Sequence, residues 1–167
     1  MKIGVIADTH GLFLPGVVEA FEGVEHILHA GDVGSRAVIE ELERIAPVTA
    51  IRGNHEEEDN PELLSDPTSI QLGGVNILIT HRFIPMQIED YKDIVIGLVK
   101  KMDKATGLIP RIVVFGHTHY AYESEIAGIF FMNPGYCGPD IYEGDPSVGV
   151  IEINDQAIKG RIIPITR

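Results

Sequence analysis

Apolar and polar positions along the chain fall into short blocks. Ile3 to Ala7 is apolar and rich in β-branched residues, and it stops at Asp8, which predicts a buried strand. Pro15 to Phe21 predicts a helix with proline tolerated in its first turn. His26 to Ala30 predicts a second strand. Ser35 is a candidate N-cap for a helix running to Ile45, whose apolar positions Ala37, Val38, Leu42 and Ile45 recur at helical spacing. Pro47 ends that segment, and Val48 to Arg52 predicts a third strand. Glu56 to Ser69 is polar, with prolines at 61 and 67, and reads as a loop. Val75 to Thr80 predicts a strand, Gln87 to Asp103 a helix, and Ile112 to Phe115 a further strand. Beyond this point two hairpins are expected: Tyr122–Ile126 with Ile129–Met132 around Ala127-Gly128, and Val148–Ile153 with Ile158–Ile163 around Asn154-Asp155. The front is βαβ-like and the back antiparallel. That pattern predicts an α/β domain over residues 1–167, with two sheets packed together and helices outside.

The polar residues that interrupt this pattern fall at strand ends. The first strand runs into Asp8-Thr9-His10, the second into Gly31-Asp32, and the third into Gly53-Asn54-His55. Thr80 is followed by His81, and Phe115 by Gly116-His117-Thr118-His119. Ligand sites in open α/β sheets lie beyond the carboxyl ends of the strands, so these five ends would gather oxygens and imidazoles at one crevice. In Asp8-x-His10 and His117-x-His119 an extended backbone puts both side chains on one side. Each motif alone is weak, since Gly-Asp also describes an ordinary turn; five in order ask for a metal site. Mixed nitrogen and oxygen ligands without thiolates suit manganese, iron, zinc, cobalt or nickel better than calcium or magnesium. Seven candidates exceed what one tetrahedral ion takes, and with Asp32 shared they suffice for two divalent ions.

Composition narrows the partners. The 167 residues carry 25 Asp+Glu against 13 Lys+Arg, a formal charge of -12, with no basic cluster of the kind that reads a long nucleic acid. Part of that acidity fits metal binding; the run Glu56-Glu57-Glu58-Asp59 reads as solvated surface. No apolar run reaches the roughly 18 residues of a membrane span, and the lone Cys137 cannot form an internal disulfide. The expectation is a cytoplasmic protein with no membrane partner, and Cys137 a small buried filler. His26 reads as surface or edge, and His29 as at most a hydrogen-bonded support behind the ligands. Tyr120, Tyr122, Tyr136 and Tyr142 read as ordinary packing.

In order, Asp8-x-His10, Gly31-Asp32, Gly53-Asn54-His55, Thr80-His81 and Gly116-His117-x-His119 resemble the signature of the calcineurin-like metallophosphoesterases. The short length resembles their minimal prokaryotic phosphodiesterase branch, as does the turn Asn133-Pro134-Gly135. The resemblance implies a four-layer α/β/β/α sandwich of two mixed sheets packed face to face. It implies two divalent ions, manganese first, with iron, nickel, cobalt or zinc as alternatives. One would take Asp8, His10, Asp32 and His119, the other Asp32, Asn54, His81 and His117. His55 would be the general acid in the hydrolysis of a small phosphate ester by metal-activated water. Many members of the small branch carry cysteine at the position of His55, and a glycine usually stands at that of Arg82. Arg52 and Arg82 flank the site and are candidates to contact substrate oxygens. A phosphodiesterase is expected, with a phosphomonoesterase or protein phosphatase, or a noncatalytic metal-binding scaffold, as the alternatives.

Overall fold

The computed structural model describes residues 1–56, 61–83, 97, 109–139, 144–155 and 157–166. In chain order its elements are β1 (Lys2–Ile6), α1 (Gly16–Ala20), β2 (His26–His29), α2 (Arg36–Glu43), β3 (Val48–Ala50), β4 (Thr68–Leu72) and β5 (Val75–Thr80). They continue with β6 (Ile112–Phe115), β7 (Tyr122–Ile126), β8 (Ile129–Asn133), β9 (Ser147–Asn154) and β10 (Ala157–Pro164). One sheet has the order β10-β9-β1-β2-β3 and the other β4-β5-β6-β8-β7. Both are mixed. β1, β2 and β3 run parallel, with β9 antiparallel beside β1. β5, β6 and β8 run parallel between the antiparallel edges β4 and β7.

The two-residue period of a strand assigns the layers. Ile3, Val5 and Ala7 meet Ile77, Ile79, Ile112 and Val114 in the core between the sheets, whereas Ile6 packs with Val17 and Phe21 of the α1 segment and Val38 and Leu42 of α2. Leu78, Val113, Phe115 and Phe131 form a third buried cluster on the other face of the second sheet. The layered α/β sandwich expected from the sequence is thus present, with two mixed sheets face to face. Gln87–Asp103, expected as a helix, lies outside the described residues apart from the helical Gly97.

Local chemistry explains the element ends. Ser35 Oγ accepts the backbone N–H of Ala37 at 3.2 Å and caps α2. Arg36 and Glu40, one turn apart on that helix, pair at 2.9 Å. β4 was not expected, and its start overlaps the segment read as loop. Its residues are half-buried or exposed at a sheet edge, so the sequence there carries little apolar alternation. Among the described residues, no helix is long and apolar enough to cross a membrane.

Candidate metal centre

β1, β2, β5 and β6 release the chain at one rim, with the loop after β3 beside it, and the backbone there is bent in an unusual way. Among the described residues, the non-glycine residues with positive φ are Asp8 (54°), His10 (45°), Asp32 (54°), His117 (68°), His119 (61°), Ala127 and Asp155. The last two sit at the tips of the hairpins β7–β8 and β9–β10. The other five are among the seven candidate ligands singled out in the sequence. Left-handed backbone is unfavourable for a side chain with a Cβ and persists where surrounding structure enforces it, typically at functional sites.

The side chains converge. Asp8 is fully buried and its carboxylate accepts the backbone N–H of His117 at 3.0 Å. Its Oδ1 lies 3.5 Å from His119 Nε2. Asp32, 2% exposed, places Oδ2 at 3.4 Å from His81 Nε2, 3.8 Å from His55 Nε2 and 3.9 Å from His10 Nε2. The rings of His81 and His117 stand 5.1 Å apart. Among the described residues, two groups have ligand atoms close enough to hold an ion, Asp8–His10–His119 and Asp8–Asp32–His81, the atoms of each group lying within 4.8 Å of one another. Asp8 is common to both, and Asp32 links them through its approach to His10.

His81 tests whether a cation fits. Its Nδ1 meets the carbonyl of Ala30 at 2.8 Å; a carbonyl only accepts, so Nδ1 carries a proton. Nε2 then faces Asn54 Oδ1 at 2.9 Å and Asp32 Oδ2 at 3.4 Å, two further acceptors. Three lone-pair atoms converging on one point need a positive species among them, a proton or a metal ion. The arrangement in which a ligating imidazole donates its other N–H to a carbonyl is the usual one in metal sites. Burial lowers the His81 imidazole, but the bond to Asp32, the Ala30 carbonyl and the charges of Asp32 and Asp8 outweigh it and raise it. Burial likewise raises the Asp32 carboxyl, yet the His81 bond, the backbone N–H of His55 and the neighbouring imidazoles hold it at about 2. His10 and His117 are lowered, chiefly by burial. The donor set suits a divalent cation.

Glycines make the crowding feasible. A Cβ on Gly53 would lie 2.1 Å from Asp32 Oδ1, and one on Gly31 2.6 Å from His81 Nδ1. No other residue fits between these groups.

The residues expected in supporting or peripheral roles are also placed. His29 is fully buried and bonded through Nε2 to Thr9 Oγ1 at 2.9 Å, bracing the loop between Asp8 and His10; burial pushes it down to about 3. His26 is half-buried on an interior strand and bonded to Thr49 Oγ1 at 2.8 Å. Cys137 is buried, its thiol pushed up to about 12. His55 is 61% exposed and its N–H donates to Asp32 Oδ1 at 3.0 Å. Arg82 is exposed and Arg52 half-buried. Tyr136 is buried, its ring 5.8 Å from that of His119. Tyr142 lies outside the described residues.

One expectation is corrected. Glu56, read with its acidic neighbours as solvated surface, turns inward. Its Oε2 accepts the N–H of Gly53 at 2.5 Å and of Asp32 at 3.1 Å, and its Oε1 that of Gly34 at 3.0 Å. One carboxylate therefore ties the loop after β2 to the loop after β3. Two more supports were missed. Asp66 Oδ1 accepts the N–H of His81 at 3.1 Å, and the buried Asn133 amide donates to the Gly116 carbonyl and Thr118 Oγ1, both at 3.0 Å. Glu56→Ala is expected to destabilise the metal-free protein by about 2–3 kcal/mol, the scale for losing charge-assisted bonds. Glu56→Gln, which keeps one acceptor oxygen, should recover part of that. Denaturant unfolding of both variants measures it; an alanine variant as stable as the parent would show that water replaces the clamp at no cost.

Comparison with known proteins identifies the family and the fold. The family described as the calcineurin-like phosphoesterase superfamily domain matches residues 1–156. A probable metallophosphoesterase of Methanothermobacter thermautotrophicus is 32% identical over 173 residues, covering 98% of this chain and 92% of that protein. A phosphodiesterase of Methanocaldococcus jannaschii is 28% identical over 169 residues, covering 91% and 93%. Among solved structures, an archaeal phosphodiesterase superposes with a TM-score of 0.71 at 27% identity, covering 98% of this chain and 100% of the other. Vps29 of Entamoeba histolytica in complex with zinc gives a TM-score of 0.71 at 22% identity over 98% and 99% of the two chains, a likeness of fold.

Proposed function

Because the chain belongs to the calcineurin-like phosphoesterase superfamily, we propose that it is a phosphodiesterase for a small substrate, working with two divalent ions, manganese first. The ligands would be Asp8, His10, Asp32 and His119 for one ion and Asp32, Asn54, His81 and His117 for the other. The observation that carries this reading is the bent backbone at five of these residues, four of which bring two buried carboxylates and two half-buried imidazoles into the clustered ligand groups. The archaeal relatives named for metallophosphoesterase and phosphodiesterase activity support it.

Bound there, divalent ions supply Lewis-acid polarisation of the phosphoryl group and make a water molecule nucleophilic near neutral pH. The chain's own residues do the rest. Asp32, held ionised by its imidazole neighbours, would supply the negative charge that the two ions share. Asp8 is fixed by the His117 N–H, and His81 by the Ala30 carbonyl, so neither has to reorganise when the ligands are used. His55 is anchored to Asp32 through its backbone while its ring reaches solvent, a placement suited to giving a proton to a departing alkoxide. Arg52 and Arg82 would meet the nonbridging oxygens.

The test is metal analysis of purified protein, then assay of aryl phosphate mono- and diesters with each metal restored. Diester turnover faster than monoester turnover, abolished by chelation and restored by manganese, is expected. Faster monoester turnover would make the protein a phosphomonoesterase. Metal uptake with no turnover of any ester would make it a scaffold.

A further inference from the structure

His55 belongs to two neighbourhoods. Its Nε2 lies 3.8 Å from Asp32 Oδ2 at the candidate ligands, and it also lines a cavity of about 490 Å³. That volume falls within the roughly 300–1,000 Å³ of small-ligand sites. One wall is apolar: Val33, Ile39, Pro61 and Leu63. The remainder is acidic in balance. Arg36 stands in the wall, but its guanidinium is already bonded to Glu40 and Glu62. Glu62 and Glu56 also line the cavity. Among the described residues, the lining thus sets one guanidinium, Arg36, against two carboxylates, Glu56 and Glu62, and Glu40 neutralises that guanidinium further from outside the lining. The Glu56 carboxylate is held inward by the three backbone N–H groups of the clamp.

A general acid must come within hydrogen-bond reach of the leaving oxygen. The carbon skeleton attached to that oxygen therefore lies against His55, and the cavity that His55 lines is open to receive it. We propose that this cavity is the leaving-group subsite and accepts an uncharged alcohol with an apolar face, excluding one that carries a second phosphate or a carboxylate. The apolar wall favours burial of such a group, at about 25 cal/mol per Å² removed from water. The surplus of carboxylates opposes an anion by like-charge repulsion, which solvent screens at the exposed Glu62 and leaves stronger at the half-buried Glu56. This inference rests on the phosphodiesterase reading and on His55 as the proton donor. It narrows the substrate: a polynucleotide, whose leaving group is itself a polyanion, is excluded on chemical grounds.

Two measurements test it. The first compares aryl methyl phosphates whose leaving phenols have matched pKa, one neutral and one carrying a carboxylate, with the manganese-restored protein. The neutral ester should be favoured by at least about tenfold in kcat/KM, with most of the difference in KM. Glu62→Gln, which removes one carboxylate and leaves Arg36 less neutralised, should narrow that gap. Equal kcat/KM for the two esters, or a gap untouched by Glu62→Gln, would overturn the proposal.

The second uses metal-free protein titrated with phenol or with 4-hydroxybenzoate, followed by methyl NMR. Phenol should shift the signals of Val33, Ile39 and Leu63, and 4-hydroxybenzoate at the same concentration should not. Shifts elsewhere, or equal shifts with both, would also overturn it. Absence of turnover of either ester with every restored metal would sink the phosphoesterase reading itself. Turnover of both without discrimination would sink the subsite alone.

Discussion

Asp32→Asn is expected to remove firm binding of both metal ions and lower turnover by at least about 10²–10³-fold, the scale of losing one preorganised electrostatic partner. The carboxylate is nearly inaccessible, and its Oδ2 lies within 3.9 Å of three imidazole nitrogens, those of His10, His55 and His81. Its Oδ1 holds the His55 N–H at 3.0 Å. An amide keeps the shape but deletes the negative charge that two cations would share, and it turns N–H donors toward groups that need an acceptor. Metal analysis of the variant decides: two full equivalents would rule out a bridging role for Asp32.

The metal-free protein gives an independent readout. The folded-state pKa of Asp32, about 2, lies below the usual 3.8. A depressed carboxylate adds stability above its unfolded pKa, and that stability fades as pH falls from about 4 toward 2. The asparagine variant should lose this part of the acid limb in unfolding experiments.

His55→Ala should retain metal while losing about 10²–10⁴-fold in turnover of esters with alkoxide leaving groups. The loss should shrink toward nothing for phenols acidic enough to depart as anions. The His55 ring is largely solvent-exposed, 5.3 Å from that of His10, and the backbone of His55 rather than its ring makes the bond to Asp32. Truncation therefore removes a proton donor without removing an anchor. Equal loss across all leaving groups, or loss of metal, would take the general-acid role away from His55 and place it among the ligands.

The sequence disclosed the strand ends far better than the scaffolding around them. β1, β2, β5 and β6 are buried on both faces, so their apolar runs stop abruptly and the residue that follows stands out. β4 was missed because an edge strand half in water needs no such run. Glu56 was misread for a related reason. In composition an acidic run resembles solvated surface, and nothing local reveals that the N–H groups of Asp32, Gly34 and Gly53 need an acceptor from 3 to 24 residues away. A glutamate two positions after Asn54, in a turn opened by glycine, was the available signal. Asp66 was hidden in the same way, and Asn133, although its turn stood out as a motif, gave no sign of its bond to the Gly116 carbonyl, since each serves a backbone group distant in sequence. Side chains that bind a ligand recur as motifs, whereas those that hold the motif in place are visible only once the chain is folded.

The left-handed bends at Asp8, His10, Asp32, His117 and His119 set durability against chemistry. At each position glycine would relax the peptide geometry, by about 1–3 kcal/mol where the strain is fully released. Yet it would delete the group that the bend exists to present. Selection for heat resistance alone should therefore favour glycine at His10, His117 and His119 rather than at Asp8 and Asp32, whose carboxylates also hold the N–H groups of His117 and His55, while bound cations would offset the same strain in a working molecule.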